Sequence, residues 1–133
     1  MDIDKLYDIA EREKIHIKEM HLKNADGMYI NYNDINVILL DKNIINKRVQ
    51  ELCTLAEEVG HYFYDACYPL SCVNKTTIDR NEYRATKWAF MQLINKEKLI
   101  NLLKRGWNKW EVAEEFGVTV ELLEKACEYY KNN

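Results

Sequence analysis

The segment Leu52–Asp65 reads LCTLAEEVGHYFYD. Within it, Glu57, Glu58 and His61 have the spacing of the H-E-x-x-H metal helix, with a glutamate where the first histidine would stand. At about 100° per helical residue, His61 falls about 40° and Glu58 about 100° round from Glu57, so the three share one flank. Zinc requires side chains that converge from one face, together with a carboxylate close enough to act on a water. The i, i+4 pair Glu57–His61 supplies the convergence, Glu58 the base, and glutamate is an accepted zinc ligand. The plainer alternative is a solvated Glu-Glu pair beside a core histidine. A third ligand is expected from a following helix. There NEYRATKWAF offers Glu82, followed by Ala85, Trp88 and Ala89, small and aromatic residues that let two helices approach closely. Asp65 competes for the role: it is i+4 from His61 and about 80° round from Glu57, but near the expected helix end.

Those side chains need a scaffold. Ile3, Leu6, Tyr7 and Ala10 give a helical spacing over 2–14, with Asp2 or Asp4 as its cap. The next stretch gathers β-branched and aromatic residues into short runs broken by NADG and NYNDIN, and it predicts strands at about 15–21, 27–31 and 36–40. A second helix follows, with Ile45, Val49, Leu52, Ala56, Val59 and Phe63 as its buried stripe. Pro69 lies beyond its end, within a loop over 66–80. A helix over about 80–94 and two or three shorter ones complete an α+β plan. One domain of 133 residues is expected, divided into a core over 1–97 and a helical C-terminal module over 98–133.

Composition narrows the function classes. Apolar residues make up 47% and the formal charge is −3, an ordinary globular balance with no general attraction to nucleic acid or anionic lipid. No apolar run approaches a membrane span, and the charged N-terminus MDIDKLYDIAEREK does not read as a signal peptide. A cytoplasmic protein with reduced thiols at Cys53, Cys67, Cys72 and Cys127 is the expectation. The C-x4-C spacing of Cys67 and Cys72 is a weak metal signal. His16 and His21, five apart on an expected strand, point to opposite faces and are read as structural.

Three blocks in order carry a family resemblance: LAEEVGHYF, EYRATKWAF and LINLLKRGWNKWEVAEEFGVTVELLEKACEYY. Together they resemble the ImmA/IrrE metallo-endopeptidases of prophages and mobile elements, over most of the chain. The resemblance implies a zincin-like fold, with a small three-stranded sheet packed on helices. By position, Glu58 matches the family's general base, His61 its second ligand and Glu82 its acidic ligand. Glu57 stands where the family usually has its first ligand histidine. Phe63 stands where some members carry a further histidine. The resemblance also implies a protein substrate: a helix-turn-helix repressor cleaved by metal-activated water. In zincins the substrate adds as a strand along a sheet edge, and NVILLD, just before the active helix, is the expected edge.

The exchange at position 57 changes the metal chemistry. Two histidines and one glutamate leave a zinc centre with one net positive charge; one histidine and two glutamates leave it neutral, so bound water is acidified less. Zn²⁺ remains the expected metal, although the harder oxygen donors shift preference toward Mn²⁺ or Fe²⁺. A weak or inactive enzyme that acts as an antirepressor by binding alone is therefore the alternative to a peptidase. A second alternative is DNA binding, since WEVAEEFGVTVELLEKA has a helix-turn-helix pattern turning at Gly117. Its charge opposes that reading. Trp107–Asn133 holds six acidic residues against three lysines, and the would-be recognition helix carries Glu121, Glu124 and Glu128. Trp107, Trp110, Tyr129 and Tyr130 read as core or as docking aromatics.

Overall fold

The computed structural model describes residues 1–64 and 75–133, the side chains of 75–81 excepted. Helix α1 (Ile3–Arg12) is capped by Asp2, whose carboxylate accepts from the Lys5 amide at 3.0 Å. Strands β1 (Ile15–Met20), β2 (Gly27–Tyr32) and β3 (Ile35–Asp41) follow within a residue or two of the sequence expectation. Asn33 and Asp34, both at positive φ, form the two-residue turn that joins β2 to β3. A single 3-10 turn (Lys42–Ile44) leads into α2 (Arg48–Phe63), and then come α3 (Lys75–Leu93), α4 (Lys96–Lys104), α5 (Lys109–Phe116) and α6 (Val120–Asn132). Among the described residues this is an α+β fold of six helices and one three-stranded sheet, as the pattern of runs predicts.

The strand order is β1-β3-β2, with β3 parallel to β1 and antiparallel to β2. The expectation that NVILLD forms the free edge is therefore wrong: β3 is the middle strand. Its composition carries the reason. A strand covered on both faces reads as a continuous apolar run; Ile38 and Leu40 are fully buried on one face, and Val37 and Leu39 half-buried on the other. The edges are β1 and β2, and β2 is the one that runs beside α2. There Gly27 stands against Thr54 and Glu58, and the Tyr29 ring meets that of Tyr62 edge-on at 6.2 Å.

Helix α2 is the centre of the molecule. Leu52, Ala56 and Val59 of the expected stripe are buried, joined by Leu55, while Phe63 is exposed and Ile45 precedes the helix. One continuous cluster of buried side chains runs from Leu6 of α1 through the sheet and α2 to Ala126 of α6. Helix α3 begins about one turn earlier than expected, taking in Thr76, Thr77 and Ile78. β-branched residues are poor helix formers, but extending a helix that already exists costs little per residue. Asp65, Cys67, Pro69 and Cys72 lie outside the described residues.

Helix α5 ends at Gly117 in the left-handed conformation (φ 69), and Thr119 caps α6. The expected helix-turn-helix is thus formed. Its second helix is not turned wholly outward, because Leu122, Leu123 and Ala126 are buried and α6 packs on α3. Trp107, Tyr129 and Tyr130 lie partly buried against the core, whereas Trp110 is exposed. His16 and His21 are both exposed.

Candidate metal centre

The position of α2 is fixed at its first turn. The buried Glu51 carboxylate accepts from the Tyr7 hydroxyl of α1 at 2.7 Å and from the Asn46 amide at 2.9 Å. Burying a carboxylate is costly unless it is hydrogen-bonded, and these two donors meet that cost. Nothing in the local sequence marks Glu51 apart from its acidic neighbours. Further along the helix, Gly60 lies against the backbone of Ala85 in α3, and Ala85 and Ala89 are fully buried. The small residues of EYRATKWAF do bring the two helices together, with Gly60 as their partner on α2.

This close approach places His61 beside Glu82. The imidazole Nε2 and the carboxylate Oε1 stand 3.3 Å apart, with His61 buried and Glu82 half exposed at the rim. The spacing suits a shared metal. Two donors, each about 2.0–2.1 Å from a tetrahedral cation, are separated by about 3.3–3.4 Å. Burial disfavours the charged imidazole of His61. The hydrogen bond to Glu82 and the charges of Glu58, Glu82 and Glu57 outweigh it, and together they hold its pKa above the ordinary value.

Glu58 is half-buried and interacts electrostatically with the same group. Burial pushes its pKa from the ordinary 4.5 up to about 7; the charge of His61 opposes this, and those of Glu82 and Glu57 add to it. Burial raises Glu57 as well, and the strongest counterweight to it is Lys125 of α6, ahead of His61. Glu57, Glu58, His61 and Glu82 therefore form one electrostatic group. Among the described residues, no three His, Cys, Asp or Glu side chains are drawn into a closed ligand set. His61 and Glu82 stand at ligand spacing, and Glu57 is the member that has not closed on them. Three carboxylates around one imidazole, two of them with raised pKa, carry more negative charge than their surroundings offset. A divalent cation fits that oxygen and nitrogen donor set.

Two cavities open on the group. One, of about 500 Å³, is lined by Glu57, Glu82, Phe90, Lys125 and Tyr129, among others. The other, of about 790 Å³, lies between the start of β2, α2 and α6, and includes Asp26, Gly27, Glu57, Glu58 and Lys125. Lys125, exposed on α6, lines both cavities together with Glu57, and no local motif marks it. Phe63 stacks on Trp88 with ring centroids 5.3 Å apart, so that position offers packing and no donor.

A helix that presents E-E-x-x-H, with a carboxylate supplied by the next helix, is the arrangement of a metallopeptidase-type centre. Residues 10–128 match a peptidase family described as the IrrE N-terminal-like domain. The chain belongs to this ImmA/IrrE metallopeptidase family. No curated protein and no solved structure matches the chain.

Proposed function

We propose that the protein is a metal-dependent endopeptidase whose metal is held by Glu57, His61 and Glu82, with Glu58 as general base. The observation that carries this reading is the 3.3 Å separation of His61 Nε2 and Glu82 Oε1 beside a half-buried Glu58. The metal, when bound, supplies Lewis-acid polarisation of the scissile carbonyl and of the attacking water. The chain's own residues do the rest. Burial raises the Glu58 pKa to about 7 in the metal-free chain, and beside the metal this carboxylate would accept a proton from that water and return it to the leaving amine nitrogen. Gly27 leaves room for Glu58 at the start of β2: a Cβ built there would stand 3.0 Å from Glu58 Cγ. Among the described residues no strand pairs with the outer edge of β2, and a substrate backbone adding there would run past Glu58. Zn²⁺ is the favoured metal, and the substrate class implied by the family is a helix-turn-helix repressor. No described helix is long and apolar enough to cross a bilayer.

The test is metal uptake followed by cleavage. Purified metal-free protein should take up one zinc per chain, and His61→Ala should take up none. Equal uptake by both, or none by either, removes the metal centre. A metal-loaded wild type that binds repressor without cutting it would leave the antirepressor reading in its place.

A further inference from the structure

The apolar residues of β2 and β3 fill both faces of the sheet. Side chains alternate across a strand, and the pairing places Tyr29 beside Ile38 and Gly27 beside Leu40 on the face that meets α2. The opposite face then carries Met28, Ile30 and Tyr32 of β2 beside Leu39, Val37 and Ile35 of β3. Among the described residues this face stays open: Met28, Tyr32 and Ile35 are 44%, 72% and 54% exposed, and the other three are half-buried. A sheet with one solvated face alternates apolar-in and polar-out. Six adjoining apolar side chains on the solvent side break that pattern, and contiguous apolar patches mark interaction surfaces.

Charge says what the face fits. On one side it is bordered by β1, whose His16 and Lys18 point outward in register with Val37 and Leu39, with Lys14 just before the strand. On the other side it is bordered by β2, with Asp26 just before that strand and Asp34 just after it. All five residues are exposed. One margin is basic and the other is acidic at both ends. A two-fold axis between two stacked sheets, parallel to β3, lays the β1 margin of each copy over the β2 margin of the other. Lys18 is level with Met28 across the sheet, so it comes near Asp26 of the second copy. Lys14, at the other end of β1, comes near Asp34 of the second copy, and each pairing occurs twice.

We propose that this sheet face is the surface through which two copies of the chain associate, face to face, with the two-fold axis along β3. The apolar side chains of the two β2–β3 pairs fill the space of about 10 Å between stacked sheets. β3 then becomes covered on both faces, as its continuous apolar run implies. Strands of this length give a face about 20 Å long and about 14 Å wide. That is less than the ~800 Å² each partner buries in a standard interface, so the dimer is weak and forms with rising concentration. His61 and Glu82 lie on the α2 side of the sheet, so the inference does not depend on the metal reading.

Sedimentation equilibrium of the full chain over about 5–500 μM tests this, with a dissociation constant expected at about 10–100 μM for a contact below standard size. Tyr32→Arg and Ile35→Arg each place a charge within the apolar contact, at a position already exposed in the single chain. Each should weaken the dimer at least about tenfold, with urea stability at low concentration matching wild type as the check on folding. Lys18→Glu should weaken it about threefold, the scale of a solvent-exposed ion pair, and adding Asp26→Lys should restore most of that loss. A wild type that stays monomeric at the highest concentration overturns the proposal and leaves the face to a different protein. A dimer that tolerates both arginine variants overturns it too, because association then uses another surface. So does a dimer that Lys18→Glu leaves unchanged, since the two-fold arrangement requires that lysine.

Discussion

A Cβ built on Gly60 would stand 2.6 Å from the carbonyl oxygen of Ala85 and 3.1 Å from its Cα. Both are backbone atoms, so nothing there can rotate aside. The absence of a side chain at Gly60 lets α2 and α3 touch, and that contact carries His61 to within 3.3 Å of Glu82. Gly60→Ala must push the helices apart. Overpacking of this kind costs about 1–3 kcal/mol, partly offset by the better helix propensity of alanine, about 1 kcal/mol. The expected outcome is lower stability in urea and, in the same variant, weaker zinc binding. A variant as stable as wild type with full zinc affinity would show that the close contact does not set the site.

The third ligand can be tested by comparing two carboxylates. Glu82 stands at ligand spacing from His61, whereas Asp65 is assigned from its helical angle alone. Glu82→Gln should reduce zinc affinity by at least about tenfold, as loss of a charged ligand does, while Asp65→Asn should stay close to wild type. Equal losses in the two variants would transfer the ligand role to Asp65.

The sequence made much of this legible, for identifiable reasons. The flank shared by Glu57, Glu58 and His61 follows from helical angle, a local property, and Glu82 follows from the small residues that come after it. The three strands appear because β-branched runs and turn residues punctuate them. What stayed hidden depends on contacts distant in sequence. Glu51 looks like any surface glutamate until Tyr7, 44 residues away, donates to it. The place of NVILLD before the active helix suggests a sheet edge, but its continuous apolar composition marks a central strand, as β3 is.

The buried acidic group makes the metal-free protein sensitive to pH. A carboxyl whose folded-state pKa lies above its unfolded value holds its proton more tightly when folded. Stability is then fullest below the unfolded value and is lost as pH rises through the folded one. For Glu58 the window runs from 4.5 to about 7, and the loss across it is on the order of 2–3 kcal/mol. His61, also raised, contributes in the same direction, since its stabilising proton leaves as pH rises further. Chemical denaturation of metal-free protein at pH 5 and pH 8 should therefore show lower stability at pH 8. Glu58→Gln, which cannot ionise, should flatten most of the difference. An equal fall in the variant would place the titrating group elsewhere.

Glu58→Gln also separates a peptidase from a protein that acts by binding. The substitution keeps the shape of the side chain and leaves Glu57, His61 and Glu82 in place, so metal uptake should persist. Affinity for the substrate backbone along β2 should persist as well, because that contact is made by main-chain groups. On the proposed reading, what is lost is the carboxylate that would take a proton from the attacking water and hand it to the leaving nitrogen. General-base assistance contributes a factor of about 10²–10⁴, so cleavage should fall by that factor with substrate binding retained. Glu57→His provides the opposite arm. It restores the two-histidine, one-glutamate set and its net positive charge, and it should raise the cleavage rate of the metal-loaded protein above wild type. If wild type and Glu57→His both bind a repressor and neither cuts it, catalysis is not what this site does, and occupancy of the repressor becomes its function.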